Sequence, residues 1–180
     1  MKQVTMAAAL IAGALIAGML NGCASLGEVP TAKLASATIR TANGLPVGTA
    51  LLTAASDKLT LTVAVAGLPA GQRGIHLHMI GRCDAPDFAS AGGHLNPMAR
   101  KHGAMNPAGS HLGDLPNLMI DSQGKGALSV ELGAPREAAL AALFDSDGTA
   151  IVIHAAADDY KTDPTGNSGA RIACGVLQRS

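Results

Sequence analysis

From residue 34 onward, apolar side chains recur at every second position. Ala35, Ala37 and Ile39 alternate with polar neighbours, Leu59, Leu61, Val63 and Val65 with Thr60, Thr62 and Ala64, and Leu128, Val130 and Leu132 with Ala127, Ser129 and Glu131. A period of two belongs to strands with one face in the core. Asn43-Gly44, Pro69-Ala70-Gly71, Gln123-Gly124 and Asp147-Gly148 supply turn chemistry between the runs. The pattern predicts eight strands, at 34–40, 47–54, 58–66, 74–79, 116–120, 125–132, 149–154 and 171–177. This is an all-β chain, an eight-stranded Greek-key β-barrel or sandwich. One segment breaks the period: Ala134 to Phe144 is built of helix formers behind Pro135 and predicts a short helix across an end of the barrel. Residues 80–115 and 155–170 are too long for hairpin turns, and long loops in a small domain are usually functional or disordered.

The amino terminus has a different pattern. Met6 to Leu20 is an unbroken run of Met, Ala, Leu, Ile and Gly behind Lys2, which predicts a secretory signal over 1–22. The run falls short of the roughly 20 residues that span a bilayer. Leu20-Asn21-Gly22-Cys23 resembles the bacterial lipobox, which would put a lipid on Cys23 and attach the protein to a membrane through it. An ordinary cleaved signal with Cys23 incidental is the alternative. Residues 23–33, small and polar, predict a tether, and 34–180 a single domain of ordinary size. The 13 basic and 13 acidic side chains balance, which removes the electrostatic footprint of a nucleic-acid binder. With Cys23 lipidated, Cys83 and Cys174 remain as an even pair in an oxidising compartment, the composition of a single disulfide.

Histidine changes the picture most. All six histidines fall where ligands would be wanted, and five lie between residues 76 and 111. His76 and His78 leave one face of a strand together while Ile75 and Leu77 leave the other. Two imidazoles at that spacing can share one ion, and His154, closing the run Ile151-Val152-Ile153, can add a third nitrogen from a neighbouring strand. His94, His102, His111 and Asp114 make a second set of three nitrogens and a carboxylate, which suits tetrahedral zinc. The first set, rich in nitrogen and held by strands, suits copper. Two metals are predicted.

The segments Gly74-Ile75-His76-Leu77-His78, Ser90-Ala91-Gly92-Gly93-His94-Leu95-Asn96-Pro97, His111-Leu112-Gly113-Asp114-Leu115 and Gly166-Asn167-Ser168-Gly169-Ala170-Arg171-Ile172-Ala173-Cys174-Gly175 resemble the copper/zinc superoxide dismutases, over about 34 to 178. The resemblance implies copper on His76, His78, His94 and His154, and zinc on His94, His102, His111 and Asp114, with His94 bridging both ions. It further implies that Arg171 guides superoxide at the copper channel, that Cys83 pairs with Cys174, and that Asp158 links His76 to His102. The activity implied is conversion of superoxide to oxygen and hydrogen peroxide by alternating reduction and oxidation of copper. The wide spacing from Cys83 to His94, with Asp158-Asp159-Tyr160 and Asp163-Pro164, is similar to the bacterial secreted branch. That implies a place in the bacterial envelope, on the periplasmic side and membrane-anchored if Cys23 carries a lipid. A non-catalytic envelope copper- and zinc-binding protein is the competing expectation, which loss of a ligand or of Arg171 would have favoured. With no Trp, one Tyr and two Phe, an aromatic-anchored subunit interface is hard to assemble, so monomer and homodimer both stay open.

Overall fold

The alternation along the first three strands carries straight into burial. In the computed structural model, which describes residue 1 and residues 31–180, β1 (Ala32–Thr41), β2 (Pro46–Ala55) and β3 (Lys58–Val65) form an antiparallel meander. Its core face carries Ala35, Ala37, Ile39, Val47, Ala50, Leu52, Leu59, Leu61 and Val63, all buried, while Thr49, Leu51, Thr62 and Ala64 face outward. The expected signal at 1–22, apart from residue 1, and Cys23 lie outside the described residues.

Seven further strands follow: β4 (Gly71–Arg73), β5 (Ile75–His78), β6 (Leu118–Ile120), β7 (Gly126–Glu131), β8 (Ala150–His154), β9 (Arg171–Val176) and β10 (Gln178–Arg179). One sheet runs in the order β4-β6-β7-β3-β2-β1-β9-β8-β5, with β10 beside β1. Its two ends, β4 and β5, are neighbours in sequence, separated by Gly74 alone. The path therefore returns on itself as a nearly closed antiparallel barrel. Gly74 has no room for a side chain, since a Cβ there would lie 2.6 Å from Ser168 Oγ.

The eight expected strands are present with shifted ends, and two more appear. β4 and β10 are two or three residues long, too short for alternation to register. β1 begins at Ala32 and so takes in the last two residues expected in the tether. The strand expected from 116 starts at Leu118, because Asn117 is engaged elsewhere. The helix, α1 (Arg136–Leu143), sinks Ala139 and Leu143 into the main core, and Arg136 Nη1 donates to Ser56 O at the β2–β3 turn. It caps that end of the barrel.

β5 and β8 depart from the half-buried rule, since every residue of both is buried. Their inward side chains, Ile75, Leu77, Ile151 and Ile153, join the main core. Ala150 and Val152, on the outer face of β8, pack with Phe88, Ala91 and Cys174 in a second, smaller core. The long loop from residue 79 thus lies over the barrel wall. The Cys83–Cys174 disulfide pins it there, joining the loop to β9 across 91 residues of chain.

The chain-entropy model gives a crosslink of that span roughly 4 to 5 kcal/mol of stability. Replacing both cysteines with serine is expected to lower the urea midpoint and to steepen the denaturant slope, because the unfolded chain is then free to expand. An unchanged midpoint would mean that the crosslink constrains neither state.

A candidate two-metal centre

The outer face of β5 presents His76 and His78, and the loop laid over it supplies their neighbours by backbone pairing. Leu77 N–H donates to Gly113 O, Leu95 N–H to Leu77 O, Gly113 N–H to Leu95 O and Met79 N–H to Gly93 O. This register sets His94 opposite His78 and Asp114 opposite His76. The approach requires glycine at 113, where a Cβ would sit 2.2 Å from Leu77 O. His154 arrives from β8, the strand paired with β5.

Two sets of side chains result. His76, His78, His94 and His154 can each aim a ring nitrogen so that all four lie within 4.8 Å of one another, and the same holds for His94, His102, His111 and Asp114. His94 belongs to both. All six imidazoles are buried.

Hydrogen bonds decide which nitrogen each ring leaves free. A carbonyl or carboxylate oxygen only accepts, so a ring nitrogen facing one carries the proton and its other nitrogen keeps a lone pair. His78 Nδ1 donates to Gly92 O at 2.9 Å and His154 Nδ1 to Gly169 O at 3.1 Å. His76 Nε2 and His102 Nε2 donate to the two oxygens of Asp158, at 2.7 and 2.9 Å. His111 Nε2 donates to Arg100 O at 3.1 Å. The atoms left over are His76 Nδ1, His78 Nε2 and His154 Nε2 in the first set and His102 Nδ1 in the second, whereas His111 Nδ1 also faces a carboxylate oxygen, Asp114 Oδ1. His94 Nε2, facing the first set, is likewise buried without a partner, as are His76 Nδ1, His78 Nε2 and His154 Nε2. In the second set, His94 Nδ1, His102 Nδ1 and His111 Nδ1 lie 2.9, 3.0 and 3.0 Å from one oxygen, Asp114 Oδ1.

Such a cluster of acceptors is costly unless a cation sits among them. Four partnerless imidazole nitrogens suit copper, and three nitrogens with a carboxylate suit zinc. The donor sets therefore fit both metals. Burial pushes the pKa of His78 down to about 2, of His154 to about 3 and of His94 to about 4, which keeps these rings neutral and able to bind metal. Burial also pushes Asp114 and Asp158 upward, but hydrogen bonds outweigh it and both carboxyls end below the ordinary range. The donors are His94 and Gly103 N–H for Asp114, and His76, His102 and Tyr160 N–H for Asp158.

Several supports carried no sequence signal of their own. Asn117 clamps the backbone of Asp158, donating from Nδ2 to Asp158 O and accepting Asp158 N–H. Tyr160 OH accepts Asn117 N–H. Asp163 accepts His102 N–H and, on its other oxygen, Lys101 Nζ. Gly166, at φ +64°, lies so close over the Asp158–His102 bond that a Cβ would fall 2.6 Å from His102 Nε2. Tyr160 and the Asp163-Pro164 pair are marked in sequence only by their likeness to the bacterial secreted branch, and Gly166 only as the start of the Gly166–Gly175 segment.

Arg171 opens β9 beside the first set. Its Nη1 donates to Phe88 O and its Nη2 to Gly92 O, both at 2.7 Å, so it shares the Gly92 carbonyl with His78. The guanidinium is half-buried and lines a cavity of about 450 Å³.

Comparison with known proteins points the same way. The family described as copper/zinc superoxide dismutase matches residues 47–177. Superoxide dismutase [Cu-Zn] 1 of Aquifex aeolicus is 42% identical over 140 residues, which cover 75% of this chain and 82% of that protein. Superoxide dismutase [Cu-Zn] of Caulobacter vibrioides is 38% identical over 150 residues, 80% of this chain and 85% of that one. Among solved structures, a superoxide dismutase-like protein from Bacillus subtilis superposes with a TM-score of 0.75 at 37% identity, covering 81% of this chain and 99% of its own.

The neutral, buried histidines make the metal-free protein acid-sensitive. Unfolded, each of His78, His94 and His154 takes up a proton near pH 6.5. Folded, each waits until about 2, 4 and 3. The unfolded state thus binds more protons below pH 6.5, and stability falls as pH falls through that window, by up to about 1.4 kcal/mol per unit for each ring. Urea melts of metal-free protein at pH 7 and pH 5 are expected to show a large loss at the lower pH. Equal midpoints would contradict the burial of neutral imidazoles.

Proposed function

We propose that in this chain, which belongs to the copper/zinc superoxide dismutase family, His76, His78, His94 and His154 hold copper and His94, His102, His111 and Asp114 hold zinc. The activity is that of the family: superoxide is the substrate, oxygen and hydrogen peroxide are the products, and copper and zinc are the cofactors. The observation that carries the residue assignment is the convergence of His76 Nδ1, His78 Nε2, His94 Nε2 and His154 Nε2, four buried nitrogens with no partner in the protein. A complete ligand set with Arg171 beside it counts against a non-catalytic metal-binding protein.

Copper held by His76, His78, His94 and His154 would supply the one-electron chemistry, by which one superoxide is oxidised to oxygen and a second is reduced and takes up two protons as hydrogen peroxide. The residues do the rest. Arg171, held by Phe88 O and Gly92 O, is charged at any working pH and keeps further N–H donors for a small anion. His94 faces both sets, so its Nε2 is the atom at which a proton is held and given up in each cycle. Asp158, through its bonds to His76 and His102, keeps a ring of each set in the orientation that binds metal. The bond from His102 Nε2 to Asp158 ties the loop carrying the zinc set to the loop carrying Asp158.

The same reading gives an address. We place the protein in the bacterial envelope on the periplasmic side, with residues 1–22 as signal and a lipid on Cys23 anchoring the chain through the short tether ahead of β1. The run from Met6 to Leu20, the lipobox-like Leu20-Asn21-Gly22-Cys23 and the disulfide support it. With three aromatic side chains in the whole chain, a homodimer would form without aromatic anchors, and a monomer is the simpler form.

His94→Ala tests the shared ligand: dismutation is expected to vanish and both metals to fall in the purified protein. Full activity with full copper would end the assignment. Arg171→Ala tests the guide: the bimolecular rate should drop roughly tenfold with copper and zinc content unchanged, and added salt should slow the parent more than the variant. Equal rates and equal salt dependence would remove Arg171 from the role.

A further inference from the structure

We propose that zinc enters and leaves its set through a cavity of its own beside α1, and that the Glu131 carboxylate on the wall of that cavity receives the ion in transit. The proposal rests on the assignment of zinc to His94, His102, His111 and Asp114. Solvent reaches this set from the side of His111 and Asp114. Their side chains are 6% and 5% exposed, whereas those of His94 and His102 are 1% and 0% exposed. Both His111 and Asp114 line a cavity of about 420 Å³, whose walls also include Arg100, Glu131, Gly133 and Ala138. It lies between the loop that carries His111 and the first turn of α1.

Two other ways in are poorer. A second cavity reaches Asp114 between Met105, Leu115, Pro116 and Tyr160, but Asp114 is the one charged side chain on its wall. A dication there would lose its hydration with little to replace it. From the copper side the ion would meet four unpartnered nitrogens first, and these would hold it before it passed His94.

Glu131 ends β7 and is not one of the four zinc ligands. Its partner is Lys58, whose Nζ lies 2.8 Å from Glu131 Oε2 with both side chains more than half exposed. Pairs so exposed contribute little, so the carboxylate is free to turn to a passing cation. Carboxylate oxygen is itself a zinc ligand. Arg100, a cation on the same wall, turns its Nη1 to Gly109 O, and an opposing carboxylate offsets its charge. Ala138, exposed on α1, leaves the opening wide because its side chain is a single methyl group. A group that meets zinc only in transit changes uptake and release by the same factor and leaves the affinity alone.

The test follows zinc itself. Release from the holoprotein is measured with a chromogenic chelator, and uptake is measured on zinc-depleted protein mixed with zinc salt, at low and high ionic strength. Glu131→Gln is expected to slow both rates roughly threefold at low salt, with unchanged affinity and with the difference lost at high salt. Ala138→Leu, which keeps a good helix former and narrows the opening, is expected to slow both rates at either salt concentration. Glu137→Gln and Ala141→Leu make the same changes at exposed α1 positions outside the cavity and are expected to change neither rate. Copper uptake should be the same in all five proteins. Unchanged zinc rates in the variants at 131 and 138, an effect on release alone, equal slowing by the control variants, or equal slowing of copper would overturn the proposal. Asp114→Ala separates the two claims. If it keeps its zinc, the ligand assignment beneath fails, whereas if it loses zinc while the variants at 131 and 138 match the parent, only the route fails.

Discussion

One buried carboxylate organises the centre. Asp158, its side chain fully shielded from solvent, accepts a proton from His76 Nε2 on one oxygen and from His102 Nε2 on the other, and Tyr160 N–H adds a third bond. An ionised carboxylate inside a protein is tolerated only when its lone pairs are used, and here three donors use them. In return it fixes two imidazoles in the tautomer whose free nitrogen is Nδ1. It also joins a strand of the barrel to the loop carrying His102, so the two proposed metal sets are mechanically one.

Three more rings have backbone acceptors, Gly92 O for His78, Gly169 O for His154 and Arg100 O for His111, and His94 Nδ1 faces Asp114. These carbonyls belong to the loops laid over the outer faces of β5 and β8. Loop packing, the second small core around Phe88 and the Cys83–Cys174 disulfide therefore serve the chemistry directly, since they place the acceptors that aim the histidines. Arg171 donates to Phe88 O and to Gly92 O, and the latter, shared with His78, couples it to the ligand shell.

How much of this is legible in the chain depends on what leaves a periodic or compositional mark. Alternation along residues 35–39, 59–65 and 128–132 marks core faces because a strand repeats every two residues, and the barrel follows from it. His76 and His78 stand on one face for the same reason. Three-residue β4 and two-residue β10 are held by neighbouring strands and have no pattern of their own. The supports of Asp158 are equally silent in sequence. Asn117 lies 41 residues before the backbone it clamps, and Gly166 matters only for the space it leaves. Backbone acceptors leave no residue-type signal at all, because any amino acid has a carbonyl. The family resemblance supplied the roles of Asp158 and Arg171, which periodicity could not.

The central claim is that the protein alone sets the tautomer of its histidines, so that lone pairs already converge before a metal arrives. Nitrogen-15 chemical shifts of the imidazoles in metal-free protein at neutral pH test it most directly. The account predicts the proton on Nε2 for His76 and His102 and on Nδ1 for His78 and His154, with the His78 and His154 rings neutral. Rings that average between tautomers, or that carry the proton on the opposite nitrogen, would contradict it.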